Sequence, residues 1–334
     1  MKSASYCTEN FLSCIFLGMS ILTVIFMFAI WTSVFPLSKI ALEVSPPLFL
    51  TAVRMLLAGI LLLGYTALRN PAAFKISKKQ FFVISLLALS QIYLTNALEA
   101  WSLQHLTAAK TCFIYSLGPF LTALLSYFHF KEKMNSRKWL GLFIGFSAIF
   151  PVLFVQKGAG ELLSSIPFLS WPELAMMGAS FCTVYGWILL RLIFKDNETM
   201  SPIFINGASM LLGGLFALGH SLLVDSWTPL PVAAPSYGGF LQGILLMTFI
   251  SNILCYNLYG LMLKKFTATF IAFLGFSSPI FASFMSWLLI GETPSVTIFA
   301  ATAVLAVGAW LVHSAELKQG YIKGEKAAAV TSQL

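Results

Sequence analysis

The strongest constraint on this chain is that one apolar pattern is written twice. A group of residues near position 107 recurs 160 positions later, and a second group near position 31 recurs 156 positions later. Thr107, Ala108, Phe113, Pro119, Ser126 and Glu132 correspond to Thr267, Ala268, Phe273, Pro279, Ser286 and Glu292, while Trp31, Lys39, Ser45 and Pro46 correspond to Trp187, Lys195, Ser201 and Pro202. The common order of these matches predicts a fold built from two related halves.

Composition places the chain in a membrane. Hydrophobic residues make up 58% of the sequence and charged residues only 10%, whereas soluble domains carry about 25% charged residues. The apolar runs reach the roughly 20 residues that a membrane-spanning helix needs. We therefore expect an all-α integral membrane protein whose first apolar run is a span and not a cleavable signal peptide. The formal charge of +8 does not indicate a nucleic-acid partner, because the basic residues lie in loops, where they orient the chain in the lipid bilayer.

No residue pattern indicates a metal site, a cofactor or a catalytic set. The cysteines Cys7, Cys14, Cys112, Cys182 and Cys255 are scattered, mostly in apolar surroundings typical of small buried side chains. The histidines His105, His129, His220 and His313 lie near predicted helix ends, and no two carboxylates share a predicted span. Because a membrane-embedded transferase would need such a pair or a His/Asp set, it is only a remote alternative.

The apolar stretches predict ten helices that cross the membrane. They cover residues 14–36, 47–68, 80–101, 107–129, 136–156, 171–194, 202–224, 238–262, 267–290 and 295–315. Most prolines, including Pro36, lie at or near the ends of these stretches. Pro119 and Pro279 instead fall inside the fourth and ninth stretches, at matching places in the two halves. Because an internal proline frees a backbone carbonyl, both are predicted helix kinks.

Lysine and arginine predict the orientation. With the N-terminus in the cytoplasm, 16 of the 20 basic residues fall in inner segments, Lys39 and Lys157 fall in outer loops, and Arg54 and Lys110 fall within spans. The positive-inside rule therefore favours cytoplasmic N- and C-termini. Since each half holds five helices, an odd number, the second half must be inverted relative to the first. The predicted units are residues 14–156, residues 171–315 and a disordered cytoplasmic tail, residues 316–334.

Several short segments resemble a known membrane domain. Residues 31–39 (WTSVFPLSK), 45–47 (SPP) and 54–59 are similar to the opening of an EamA-type domain. The stretches Pro119 to Glu132 with Gly141 and Gly145, and Pro279 to Glu292 with Ala309, are similar to its closing part. Over residues 14–315 the chain resembles ten-helix carriers of the drug/metabolite transporter superfamily. That resemblance implies two repeats that rock around a central site.

A narrower resemblance concerns substrate. The chain is similar to the S-adenosylmethionine/S-adenosylhomocysteine transporters of obligate intracellular bacteria. This resemblance implies a carrier of the bacterial inner membrane that imports the methyl donor and returns the demethylated product. An exporter of amino acids or other metabolites from the same superfamily is the open alternative, and the oligomeric state is left undetermined.

Three ionisable residues within spans need a reason, since each costs about 2.5–3.5 kcal/mol at the membrane centre. Glu99 and Lys110 are each predicted about a turn or two below the outer surface, and Arg54 at a similar depth, so the three are expected to form one cluster. In one interpretation Glu99 pairs with Lys110, and Arg54 snorkels or caps carbonyls. In the other, Arg54 or Lys110 binds a substrate carboxylate and Glu99 binds its ammonium or sulfonium. Glu99 is also the one carboxylate predicted clearly inside a span, so it is the only candidate acid for proton coupling.

Amide and aromatic side chains supply a candidate second half of the pocket. Asn and Tyr can hydrogen-bond a purine edge or a ribose, and an aromatic face can stack a purine or attract a sulfonium. The candidates are Asn96, Trp101, Tyr115, Tyr185, Trp187, Asn206, Asn252, Tyr256 and Asn257, with Asn96 favoured because it shares a helix face with Glu99. The alternative is that they form aromatic belts and interhelical hydrogen bonds.

The duplicated glutamates and the glycine pair have structural interpretations. Glu132 and Glu292 lie at helix ends and are expected to be caps or gate contacts, not substrate ligands. Gly141 and Gly145 are expected to mark a close helix–helix contact. Because no Gly-x-x-x-x-Gly-Lys-Ser/Thr run is present, the predicted carrier is driven by exchange or by an ion gradient. A structural or assembly role is a third possibility, but it leaves the internal charges unexplained.

Overall fold

A computed structural model describes residues 22–130, 134–148, 170–196, 200–232, 236–265, 271 and 274–319. Regular structure in these residues is entirely helical. We number the main helices α1 (Leu22–Leu42), α2 (Pro47–Arg69), α3 (Lys78–Leu103), α4 (Ala108–His129), α5 (Ser136–Ser147), α6 (Trp171–Asp196), α7 (Pro202–Val224), α8 (Tyr237–Lys264), α9 (Ser278–Ile290) and α10 (Val296–Gln319). Short 3₁₀ turns cover Pro71–Phe74 and Gly275–Ser277.

These helices form a multi-pass membrane protein. Among the described residues, eight helices are long and apolar enough to cross a membrane, and α9 is a shorter apolar helix. Large apolar side chains such as Leu68 and Phe143 are exposed on the outside of the bundle, where lipid is the expected neighbour. The predicted spans 14–36, 136–156 and 267–290 lie partly outside the described residues, and Glu132 and the tail from residue 320 lie wholly outside them. In the structure α10 continues to Gln319, a few residues beyond the predicted start of that tail at 316.

The C-terminal end of α1 differs from the sequence prediction. The helix does not stop at Pro36 but turns at Thr32 and Ser33 and resumes at Val34, ending at Leu42. Pro36 is tolerated because it lies in the first turn of the new segment, where its missing N–H has no helical partner to lose. Lys39 therefore lies in the last turn of a helix and not in an outer loop.

Both prolines that were predicted to be internal stand in the first turn of a helical segment. In α4 the helix breaks at Ser116 and Leu117, and a new segment starts at Gly118, so that Pro119 stands in its first turn. At α9 the 3₁₀ turn Gly275–Ser277 comes first, and Pro279 stands in the first turn of the helix that begins at Ser278. In each case the proline begins a helical segment, which is the position it tolerates best.

Two helices contain a wide π-helical segment closed by an asparagine. The segment covers Ala88–Leu94 in α3 and Thr248–Cys255 in α8. Asn96 and Asn257 each donate from Nδ2 to the carbonyl four residues earlier, at 2.8 Å in both helices. A π turn leaves carbonyls without regular partners, and inside a membrane such groups must be satisfied by protein. The two helices meet this requirement in the same way.

Glycines allow α2 and α7 to pack closely in opposite directions. A methyl group placed on Gly59 would lie 2.6 Å from the backbone nitrogen of Leu211, and one on Gly214 would lie 2.9 Å from the backbone nitrogen of Leu56. The earlier residue of α2 thus meets the later residue of α7, so the helices are antiparallel. Small residues permit this approach, which supplies the dispersion contacts that hold membrane helices together.

The predicted contact at Gly141 and Gly145 is confirmed. A methyl group on Gly141 would lie 2.6 Å from the carbonyl oxygen of Gly308 in α10, and one on Gly145 would overlap the ring of Phe120 at 2.1 Å. The Gly141–Gly145 pattern therefore has a structural role, because both glycines lie in helix contacts.

Two glycines of α2 offer a matched test of this packing. Gly59→Ala is expected to destabilise the protein by about 1–3 kcal/mol, since its methyl group meets backbone that cannot move aside. Gly64→Ala, in the same helix but with no atom within 4 Å of the new methyl, is expected to be neutral or slightly stabilising through its helix propensity. Thermal unfolding of both variants in detergent checks this. Equal midpoints would contradict the close α2–α7 contact.

Candidate functional site

A cavity of about 150 Å³ lies within the bundle. Its walls come from α1, α2, α3, α4, α6 and α8 and from the chain around the start of α9. Its polar and aromatic lining residues are Phe28, Trp31, Thr32, Phe35, Arg54, Thr95, Asn96, Glu99, Tyr115, Ser116, Thr122, Ser180, Thr183, Trp187, Ser251, Tyr256, Tyr259 and Ser278. This volume is below the roughly 300–1,000 Å³ of sites for drug-sized ligands, so a large substrate would require the helices to separate further.

Arg54 lines the cavity and places a positive charge there, in a position fixed by a hydrogen bond. Its Nη2 donates to Asn96 Oδ1 at 2.5 Å, and Asn96 is itself fixed by the π turn of α3. The guanidinium is buried, and its Nε has no hydrogen-bond partner among the described residues. Because a guanidinium has five donors in a fixed fork, this arrangement leaves donor capacity for an anionic group in the cavity.

Glu99 supplies the opposite charge, with a different partner. The Tyr115 hydroxyl donates to Glu99 Oε2 at 2.6 Å. The residue is only half-buried, and in the described part of the chain its Oε1 accepts no hydrogen bond. Arg54 and Glu99 interact electrostatically, but each is hydrogen-bonded to a neutral side chain and not to the other. Both charges therefore remain available to a ligand.

Lys110 does not join this cluster. Its Nζ lies 2.5 Å from Glu173 Oε1, and both side chains are almost fully buried. Glu173 stands in the first turn of α6 and also accepts from the Ser170 backbone N–H at 2.7 Å. The expected three-charge cluster of Arg54, Glu99 and Lys110 is wrong in this respect, and Glu173 is a second buried carboxylate, at the start of its helix. Lys110 does not line the cavity.

Four aromatic rings form one side of the cavity. Trp31 lies 5.2 Å from Tyr256, Trp187 lies 5.6 Å from Tyr256, and Trp187 stacks on Tyr259 at 3.8 Å, measured between ring centroids. Trp31 Nε1 donates to Ser251 Oγ at 3.0 Å, which fixes the indole. We call Trp31, Trp187, Tyr256 and Tyr259 the aromatic box. Rings held in this way suit a flat or a cationic ligand group.

Tyr256 connects the box to the charged residues. Its ring belongs to the box, and its hydroxyl lies next to the Asn96 side chain and near Arg54 and Glu99. Sequence reasoning did not select Trp31 or Tyr259 as site residues. The recurrence of Trp31 as Trp187 was the available signal for Trp31, whereas Tyr259 had none.

Other predicted site residues lie outside the cavity lining. Asn206 donates to Asn257 Oδ1 at 3.0 Å and to the Tyr256 carbonyl at 3.1 Å, so this amide pair ties α7 to α8. Tyr185 packs against His129 and Phe181. Trp101 is partly exposed, and Asn252 contacts Met55. These residues fit the alternative interpretation of interhelical contacts and belts.

Opposite charges and aromatic rings around one cavity in a multi-pass helical protein define a membrane carrier, because buried charges in spans mark substrate paths. The chain belongs to the EamA-like transporter family, whose sequence pattern matches residues 18–154 and again residues 170–314.

Two bacterial relatives are similar over most of their length. A protein of Chlamydia muridarum named S-adenosylmethionine/S-adenosylhomocysteine transporter is 37% identical over 294 residues, which is 88% of this chain and 91% of the relative. Its namesake in Chlamydia trachomatis serovar L2 is 36% identical, over 88% of each chain. A solved structure with 14% sequence identity superposes with a TM-score of 0.65 over 88% of this chain and 96% of its own. That likeness concerns the fold alone.

The ion pair of Lys110 with Glu173 gives a test of their structural role. Glu173→Gln is expected to destabilise the protein by about 3–5 kcal/mol, since it leaves a buried ammonium without its carboxylate. The double change Lys110→Met with Glu173→Leu is expected to recover most of that loss, because it removes both charges. Thermal unfolding in detergent is the measurement. If the double variant were as unstable as Glu173→Gln, lost packing would explain the loss and not the unpaired charge.

Proposed function

We propose that this protein is a secondary carrier of a bacterial inner membrane that takes up S-adenosylmethionine in exchange for S-adenosylhomocysteine by alternating access. The observation that carries the proposal is the cavity, in which Arg54 and Glu99 remain available beside the aromatic box. The names of the two chlamydial relatives point to the same pair of substrates.

The chemical groups of the substrate match the groups of the cavity. Arg54 binds the substrate carboxylate through the donors that Asn96 leaves free. Glu99 Oε1 faces the ammonium or the sulfonium of the substrate, and the hydrogen bond from Tyr115 holds the Glu99 side chain in place. The box accepts the adenine by stacking and also suits a sulfonium. Tyr185, Asn206, Asn257 and Lys110 act through the scaffold in this arrangement.

The architecture we propose is ten helices in two inverted repeats, residues 14–156 and 171–315. Three observations support it: the family pattern matches twice, α2 and α7 pack antiparallel, and α3 and α8 share a π turn closed by an asparagine. The distribution of lysine and arginine puts both termini in the cytoplasm. Two such repeats rocking around a fixed cavity would expose it to each side in turn.

Exchange gives the cycle its direction without ATP. Substrate and product share the carboxylate, the ammonium and the adenosyl group, so the same cavity can carry either across. Entry of the methyl donor is then driven by the outward gradient of the product. This chemistry needs no catalytic group, and we propose a carrier and not an enzyme.

An amino-acid exporter of the same superfamily is the second candidate. Arg54 and Glu99 would fit any zwitterionic amino acid equally well. The aromatic box separates the two proposals, because a simple amino acid has no purine for it to stack. Competition by amino acids is therefore part of the test.

The first measurement is uptake of radiolabelled S-adenosylmethionine by bacterial cells that express the chain. We expect saturable uptake that S-adenosylhomocysteine blocks and amino acids do not. Arg54→Gln is expected to abolish uptake, because it removes the cation opposite the substrate carboxylate. Arg69→Gln is the control, since Arg69 is exposed at the other end of the same helix. Uptake no greater than in empty-vector cells, with the protein inserted, would refute this substrate.

Glu99→Gln separates the two substrates. S-adenosylmethionine carries two cationic groups and S-adenosylhomocysteine one, so removal of the carboxylate should weaken the methyl donor more. We expect its half-saturating concentration to rise at least about tenfold, the range for a hydrogen bond to a charged group. The product should be affected less. Glu43→Gln, which changes an exposed carboxylate, is the control. Equal losses for both substrates would place Glu99 at the ammonium.

A further inference from the structure

Three helices that line the cavity are joined at one end by a single carboxylate. The Lys39 ammonium, in the last turn of α1, pairs with Glu292 Oε1. The backbone N–H of Ala108, the first residue of α4, donates to Glu292 Oε2 at 3.2 Å. Glu292 itself lies just after the end of α9. We call this three-way contact of Lys39, Glu292 and Ala108 the latch.

The local structure explains why Glu292 reaches both partners. Gly291 ends α9 in the left-handed conformation, with φ 69°, which glycine adopts without strain. The Glu292 backbone N–H then donates back to the Ser286 carbonyl at 3.3 Å, so the glutamate is held against the helix end. Ala108 offers one of the unpaired N–H groups of a helix start, which favour a negative charge.

The same three helices contribute to the cavity walls. Trp31 and Phe35 of α1, Tyr115 and Thr122 of α4 and Ser278 of α9 all line it. Separation of these helices at the latched end would therefore open the cavity in that direction. Such separation must break the ion pair and the contact with the α4 N-terminus, so the latch opposes opening at this end.

We propose that the latch is the closed outer gate of the carrier and that Glu292 is its central residue. The assignment to the outer side rests on the membrane orientation in the proposed function. The Lys39 and Glu292 side chains are 29% and 19% exposed, so water reaches the pair. An ion pair in such a setting shifts an equilibrium by up to about fivefold. The latch is thus weak enough to open in each cycle and strong enough to favour the closed state.

The experiment measures access to the cavity from each side without using any substrate. Thr183 lines the cavity and is half-buried, so Thr183→Cys serves as the reporter in a chain whose five native cysteines are replaced by alanine. A membrane-impermeant maleimide is added to whole cells and, separately, to inside-out vesicles. The labelling rate is compared for Glu292→Gln, Glu292→Ala and the control Glu43→Gln.

The outer-gate proposal predicts a graded result. External labelling should rise up to about fivefold in Glu292→Gln, which loses the charge but keeps an acceptor for the Ala108 N–H, and should rise more in Glu292→Ala, which loses both. Lys39→Ala should resemble Glu292→Gln. Glu43→Gln should label at the parental rate. Size-exclusion profiles in detergent identify any variant that fails to fold, and in that case the Lys39→Ala rate decides.

Two results would overturn the proposal. External rates equal to the parental rate in folded Glu292 and Lys39 variants would show that the latch does not close the cavity. A rise seen only in inside-out vesicles would place it at the cytoplasmic end. Because no substrate is used, absent S-adenosylmethionine uptake together with faster external labelling would refute the substrate and retain the gate.

Discussion

The hydrogen bond between Arg54 and Asn96 is the interaction on which the cavity depends. A charged side chain inside a membrane span costs about 2.5–3.5 kcal/mol on insertion scales, so it needs a fixed partner. Asn96 provides one, and its own position is set by the π turn of α3. In α8 the corresponding asparagine, Asn257, faces the neutral Asn206 instead. A shared backbone feature therefore holds a charge in one half of the protein and only a helix contact in the other.

The helix contacts divide into two kinds with different mechanical consequences. The α2–α7 and α5–α10 contacts are made by glycines at backbone distance, so pulling these helices apart would lose many dispersion contacts. The contact of α1, α4 and α9 at the latch is polar, partly hydrated and confined to helix ends. In a protein built in this way the helix ends at the latch can separate while the glycine contacts stay intact. The proposed alternating access requires such a difference.

Sequence reasoning succeeded for properties that depend on composition along the chain. The membrane class, most helix bounds and the glycine contact at Gly141 depend on local apolar length and residue size, and the family was indicated by the resemblance of short segments to a known domain. It failed where a residue's partner is distant in sequence. Glu173 was overlooked as the partner of Lys110, because nothing in the pattern of α4 shows which helix it faces. Pro36 was mistaken for a helix end, because a proline in the first turn of a helix resembles one that ends a helix.

The amino-acid order alone indicates an apolar, all-helical membrane protein with a repeated sequence pattern and with Arg54 and Glu99 inside its spans, and its resemblance to a known family indicates a carrier. The packing of the helices then settles that these two residues face a common cavity, that Lys110 does not, and that Trp31 and Tyr259 complete an aromatic wall. The physical reason is that lipid and protein interior are both apolar. A membrane helix therefore lacks the strong amphipathic stripe that fixes the rotation of a soluble one, and packing alone sets which way each side chain points.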